Sequence, residues 1–315
     1  MRICIAVTDD VFDTGLSSLL DTFETANELA GETRFTVSVA SPRAGVRTHH
    51  GLAIPTSRPP ARPPELLIVP ALACKQPDTI VGALDRPDVR ALAELVSAFA
   101  RRCRVAAACT GTFVLGRAGV LDGRRATTTW WLGPTFREQF PAVELEEAEM
   151  VVADEGVLTA GAALAHLDLA LSVIREKSPD LASLVARYLL LDDRPSQAPF
   201  VAPSQVAYDD ELVKKFERWI RRHLGEPFEL ARAARAVGAS ERTLQRRIRA
   251  VLGKPPIAFV QDLRLERAVH LLRTSEDSID AIASVVGYED GSTLRALLRR
   301  RLHTGVRELR GAASS

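Results

Sequence analysis

The sequence predicts an α/β domain followed by an all-α domain with two helix-turn-helix motifs. Three observations predict it. The chain has 315 residues, about twice the usual length of one domain. Short β-branched runs alternate with helical periodicity over roughly residues 1–190, and a glycine-centred unit occurs twice in the last third of the chain. At 46% apolar and 26% charged residues, the composition is that of a globular chain and excludes disordered and fibrous classes.

The opening run Arg2 to Val7 is too short for a signal-peptide core, and Asp9, Asp10 and Asp13 follow it at once. A secretory or membrane-spanning segment is therefore not expected. Cys4, Cys74, Cys103 and Cys109 form no Cys-x-x-Cys pair and no His-rich spacing, so no disulfide framework, metal or cofactor is expected and the chain is read as cytoplasmic.

Element by element, Ile3 to Val7, Phe35 to Ala40, Leu66 to Val69 and Val105 to Ala108 read as strands. In Ala91 to Arg102, Leu92, Leu95, Val96 and Phe99 fall on one helical face. That alternation implies a mostly parallel sheet covered by helices. Arg125 to Trp131 reads as a further strand. Met150 to Ala153 and Val157 to Thr159 flank the turn Asp154-Glu155-Gly156 and predict a hairpin, and a buried helix over Ala162 to Ile174 follows.

The segment Val105 to Leu115, VAAACTGTFVL, combines a small-residue strand, Cys109-Thr110-Gly111 and a helical pattern. A cysteine on such a turn is expected to stand exposed above the sheet, with the helix N-terminus favouring its thiolate. That geometry suits a nucleophile. Gly111 supplies the small residue that lets neighbouring backbone approach.

On this segment, the Asp13 region, Arg125 to Trp131 and the run Leu158 to Leu171, the first 190 or so residues resemble the DJ-1/PfpI branch of the class I glutamine amidotransferase-like superfamily. The resemblance implies a flavodoxin-like sheet, places Cys109 at the nucleophile position and sets Asp13 where relatives carry an acidic residue. Thr129 stands where relatives place a histidine, and Thr110 follows the cysteine where peptidase-like members have another. Nucleophilic cysteine chemistry needs a base within reach, and threonine cannot titrate usefully. His166, among Leu164, Leu167 and Leu171, reads as structural, and His49 and His50 read as surface residues. No catalytic residue is assigned. Cys109, Thr110, Gly111, Asp13, Thr129 and Trp130 remain as lining of a ligand pocket whose chemistry has been lost.

Charge separates the two parts of the chain. Residues 1–193 carry 19 basic and 25 acidic side chains, while residues 194–315 carry 22 and 15. The basic part is therefore a candidate for polyanion contact. Between the parts, Asp192 to Asp209 contains Pro195, Pro199 and Pro203 and predicts an extended linker.

Beyond it, Ala231 to Gly253 and Asp280 to His303 repeat one unit: Gly238 matches Gly287, Thr243-Leu244 matches Thr293-Leu294, Ile248 matches Leu298 and Leu252 matches Leu302. Each unit reads as a short helix ending at a glycine, a polar N-cap (Ser240; Ser292 or Asp290) and a second helix. Leu244, Ile248 and Leu252 predict the buried stripe of the first, leaving Arg242, Gln245, Arg246 and Arg249 outward. Leu294, Leu297, Leu298 and Leu302 do so in the second, leaving Thr293, Arg295, Arg299 and Arg300 outside or flanking. Arginine and glutamine on such a face are what base-edge and phosphate contacts in a major groove require. Ile257 to Arg273 predicts one continuous helix joining the units.

SERTLQRRI, LGKPPIAFVQDLRLERAVHLL and SIDAIASVVGYED resemble the AraC/XylS regulators across Asp210 to Arg310. The two resemblances together make the whole chain similar to the GlxA family of transcriptional regulators. They imply a ligand-sensing or dimerisation domain over 1–191, a linker over 192–209 and a DNA-binding domain over 210–310. Double-stranded DNA, a small-molecule effector and a second copy of the chain are the implied partners, without a membrane. Ser240, Arg242, Thr243, Gln245, Arg246, Arg249, Ser292, Thr293, Arg295, Arg299 and Arg300 are the implied DNA-binding residues. The alternative reading is a cysteine-dependent amidase or glyoxalase-like enzyme fused to a DNA-binding domain.

Overall fold

A computed structural model describes residues 1–192, 194, 196–197, 210–302 and 305–311. It divides into two compact units, Met1–Gln197 and Ala198–Ser315. Most of the expected linker 192–209 lies outside the described residues.

In chain order the first unit carries β1 (Arg2–Ala6), α1 (Asp13–Ala30), β2 (Thr36–Ala40), β3 (Leu66–Val69), α2 (Pro77–Leu84), α3 (Pro87–Ala100), β4 (Arg104–Ala108), α4 (Gly111–Arg117), β5 (Arg125–Ala126), α5 (Gly133–Gln139), β6 (Glu144–Leu145), β7 (Val151–Asp154), β8 (Val157–Ala160), α6 (Ala165–Lys177) and α7 (Pro179–Tyr188). Six strands form one sheet in the order β2-β1-β3-β4-β8-β7. All neighbours run parallel except β7 and β8. Every residue of β3, and Val105 to Ala108 of β4, is buried, as expected of parallel strands covered on both faces. Leu16, Leu19 and Phe23 of α1, Leu169 and Val173 of α6 and Val185 of α7 join one core with Ile3, Ile5, Leu66 and Ile68 of the sheet. The chain leaves β1 for β2 on one side and returns to β3 on the other. The carboxyl ends of β1 and β3 therefore flank a topological switch point, where open α/β sheets form their crevice.

The β7–β8 hairpin closes through Glu155 and Gly156, both at positive φ (40° and 82°), which is the conformation a two-residue turn of matching twist requires. One expected element is shorter than the sequence implies. Of the strand expected over Arg125 to Trp131, only Arg125–Ala126 pairs, with β6. Thr127 N–H instead donates to the Thr159 hydroxyl, and Trp130–Leu132 forms a short 3-10 turn leading into α5. Side-chain hydroxyls have taken the ladder's hydrogen bonds, and Pro134 in the first turn favours a helix start.

The second unit contains α8 (Glu211–Arg222), α9 (Leu230–Ala236), α10 (Glu241–Leu252), α11 (Pro256–Thr274), α12 (Ile279–Val285), α13 (Gly291–Leu302) and α14 (Val306–Gly311). α9–α10 and α12–α13 are the two helix-turn-helix units. Each first helix ends at a left-handed glycine, Gly238 at φ 73° and Gly287 at φ 82°. The Ser240 hydroxyl caps α10 by accepting from Thr243 N–H. In the second unit Asp290, not Ser292, accepts from Thr293 N–H at 2.7 Å. α11 joins the two units as one helix of 19 residues, about 28 Å long at 1.5 Å per residue. No helix among the described residues is long and apolar enough to cross a membrane.

Candidate functional site

The elbow after β4 is built by a strained cysteine and the backbone around it. Cys109 sits at φ 55°, a left-handed conformation that costs a non-glycine residue of order 1 kcal/mol or more and persists only where surrounding structure over-determines it. Its N–H donates to Ala160 O at 2.8 Å, and its carbonyl accepts from the Thr128 hydroxyl at 2.8 Å. The Thr110 hydroxyl donates to Leu72 O at 2.6 Å. A Cβ on Gly111 would stand 2.5 Å from Val69 O and 2.7 Å from Pro70 O. The glycine expected for close approach therefore meets the end of β3.

The expected exposed thiolate is not found. Cys109 is 4% exposed, and burial pushes its thiol up to about 11, against the pull of Thr110 N–H and the Thr129 hydroxyl. α4 does begin at Gly111, but desolvation of a charge outweighs a helix terminus. Thr128 and Thr129, both fully buried, cover the elbow from the segment expected to form a strand.

His166 cannot act as the missing base. Its Nε2 accepts from Ala71 N–H at 3.1 Å, so the ring proton lies on Nδ1, which donates to Ala163 O at 2.8 Å. Both ring nitrogens are engaged, and burial lowers the imidazole pKa to about 4. Gly15 makes room for the ring, since a Cβ there would lie 2.6 Å from it.

Asp13, in the first turn of α1, receives the His50 ring at 2.8 Å. Desolvation opposes its ionisation, but hydrogen bonds from Thr48 and His50 hold the carboxyl below the usual carboxylate range. Val11 bridges to both Thr48 and Leu72, which places the Asp13–His50 pair on the same carboxyl edge of the sheet as the elbow. Asp13 makes no hydrogen bond to Cys109 among the described residues. Trp130 is half-buried and lies edge-on to Trp131 at 5.5 Å. A groove of about 660 Å³ opens at the opposite end of β4, between Arg101, Arg104, Arg124 and Gly156, and takes in none of the elbow residues.

Two residues escaped sequence reading. His50 is exposed, as expected, but its partnership with Asp13 was not foreseen. Gln197, within the proline-rich stretch, is fully buried. Its Nε2 donates to Thr127 Oγ1, Thr128 O and Glu149 O at 3.1, 3.0 and 3.2 Å. Gly161 leaves the space it fills. Nothing in the pattern of either residue signals these contacts.

The second unit carries its polar residues where the periodicity places them. Leu244, Ile248 and Leu252 are buried on α10, and Leu294, Leu297 and Leu298 on α13. Arg242, Gln245, Arg246 and Arg249 are exposed, as are Arg295, Arg299 and Arg300 with Ser240, Ser292 and Thr293; Thr243 is half-buried beside the cap. Arg247 is tied to Asp210 and Arg301 to Asp262. No ion pair among the described residues engages the six outward arginines of α10 and α13. Unneutralised guanidinium groups on a helix face suit an anionic, donor-and-acceptor-rich surface such as a DNA groove.

Comparison with known proteins accords with this division. Residues 1–176 match the DJ-1/PfpI family, and residues 233–312 match a helix-turn-helix domain. The chain is 31% identical over 197 residues to the HTH-type transcriptional regulator CdhR of Pseudomonas aeruginosa, covering 61% of this chain and 58% of CdhR. It is 30% identical over 196 residues to the HTH-type transcriptional regulator GlxA of Rhizobium meliloti, covering 59% and 58%. The matches thus span rather more than half of these relatives. The crystal structure of an AraC family transcriptional regulator from Pseudomonas putida superposes with a TM-score of 0.50 at 22% identity, over 60% of this chain and 98% of that one.

Proposed function

This chain belongs to the DJ-1/PfpI family and carries an AraC-type helix-turn-helix domain, and from that premise we propose that it is a sequence-specific regulator of transcription that binds double-stranded DNA. The observation that carries the reading is the pair of capped helices, α10 and α13, each burying leucines and presenting unpaired arginines. Arg242, Gln245, Arg246 and Arg249 contact bases and phosphates along one stretch of groove and Arg295, Arg299 and Arg300 along the next, together with Ser240, Thr243, Ser292 and Thr293 at the helix starts.

In this reading the first domain senses a small molecule at the carboxyl edge of the sheet, bounded by Cys109, Thr110, Gly111, Asp13, Thr129 and Trp130, and performs no turnover. The neutral, buried thiol and the fully engaged His166 ring support its inactivity. Effector binding acts through different affinities for DNA-competent and incompetent states. The protein works in the cytoplasm as a homodimer, a part of the reading that rests on the family resemblance and is checked by sedimentation equilibrium.

Selection of genomic fragments on the purified protein, followed by titration of the best duplex, tests the function. A defined motif bound far more tightly than unrelated DNA is the expected result. Salt-sensitive binding without a motif would refute sequence specificity. One observation favours the enzymatic alternative: the strained φ of Cys109 is that of a nucleophile elbow. Loss of methylglyoxal or of a model amide on incubation with the protein, abolished by Cys109→Ala, would establish that alternative.

A further inference from the structure

α11 is shared between two cores. Phe259, Val260 and Leu263 belong to the core of α8, α9 and α10, whereas Leu265, Ala268 and Leu272 belong to the core containing α12 and α13. Arg264 stands at the changeover and is 8% exposed. Its Nε donates to Leu224 O at 3.0 Å and its Nη2 to Glu226 O at 2.6 Å, both in the turn after α8. Its guanidinium also lies over the Tyr288 ring, 5.6 Å from the centroid, in the turn after α12.

The two turns meet backbone to backbone around this group. A Cβ on Gly287 would stand 2.4 Å from Leu224 O and 2.7 Å from Arg264 Nη2, and one on Gly225 would stand 3.0 Å from Val285 O. No carboxylate pairs with Arg264 among the described residues. Carbonyls beyond the end of α8 and an aromatic face compensate the buried cation instead. Asp262, about 200° around α11 from Arg264, binds Lys254 at 3.0 Å and reaches Arg301 at 3.9 Å. The seam is thus tied on both sides.

We propose that Arg264 is a positioning residue for DNA reading: it fixes the angle between the two helix-turn-helix units, so that α10 and α13 address the duplex as one rigid reader. The proposal rests on the DNA-binding reading above. Arg264 lies between the apolar cores, so its replacement loosens the joint while leaving each core its own contacts. Lysine keeps the charge but cannot make both carbonyl bonds and stack on the ring. Two reading units held in fixed register gain affinity from effective concentration, and a loose joint forfeits part of that gain.

The test uses the full chain and duplexes selected from a genomic library, carrying either both half-boxes or one with the other scrambled. Arg264→Lys and Arg264→Gln are expected to lose roughly tenfold or more on the two-box duplex and less than about twofold on each one-box duplex. A base pair inserted between the boxes should penalise the unaltered protein more than either variant. Equal losses on both kinds of duplex, or no loss on either, overturn the proposal. Far-UV circular dichroism identifies a variant that fails to fold. If Arg264→Gln does so, Arg264→Lys and Gly287→Ala, which crowds the same joint, decide. Absence of sequence-selective binding by the unaltered protein would instead overturn the DNA-binding reading itself.

Discussion

Arg246 is exposed on α10 and unpaired among the described residues, so its removal costs the fold little and a bound duplex a directed contact. Arg246→Ala is expected to weaken the selected duplex by about 1–3 kcal/mol and to relax preference at one base position. Competition titration against unrelated DNA checks this, and an equal loss on both would reassign Arg246 to a phosphate. His166 behaves oppositely. Its pKa is lowered from 6.5 to about 4 in the folded state, so the stability due to the neutral ring is present above pH 6.5 and lost as pH falls toward 4. The loss should approach about 3 kcal/mol, seen as a falling urea midpoint over that range and absent in His166→Gln. Cys109 is raised from 9.0 to about 11, so its contribution is intact below pH 9 and lost as pH rises toward 11. Alkylation of the native protein by iodoacetamide at pH 7 should spare Cys109 while unfolded chains react.

The elements divide by how local their causes are. The helix-turn-helix repeat was legible because leucine spacing, glycine stops and polar caps are all near neighbours in sequence. α11 was expected from Ile257 to Arg273 and runs over Pro256–Thr274. α1 is absent from the sequence reading although Leu16, Leu19, Phe23 and Ala26, all buried, fall at helical spacing. The strand expected over Arg125–Trp131 stops at Ala126 because its threonines, though they look β-forming, bind Cys109 O and Glu149 O through their hydroxyls. At the elbow, Gly111→Ala forces a methyl against two carbonyls of the β3 end and is expected to cost about 1–3 kcal/mol. Chemical denaturation of the first unit, followed by the fluorescence of Trp130 and Trp131, would show it. An unchanged midpoint would mean that the elbow shifts freely.

At the scale of the whole molecule, the acidic first part and basic second part of the chain predict binding governed by counterion release. With six outward arginines, raising salt from about 50 to 200 mM should weaken the selected duplex by roughly 10³-fold. A log–log slope near zero in filter binding would exclude phosphate contacts as a major source of affinity. The sequence by itself determined that there are two units, the class of each and the arginine faces of α10 and α13, because these follow from periodicity and caps within a few residues. Only the tertiary structure decided the state of the elbow and the seam at Arg264. Those depend on groups far apart in the chain, such as His166 and Ala71, 95 residues distant, or Arg264 and Leu224, 40 residues distant. Burial and hydrogen-bond partnership, which set whether a thiol ionises or an arginine reaches solvent, are properties of the assembled core, and no local pattern carries them.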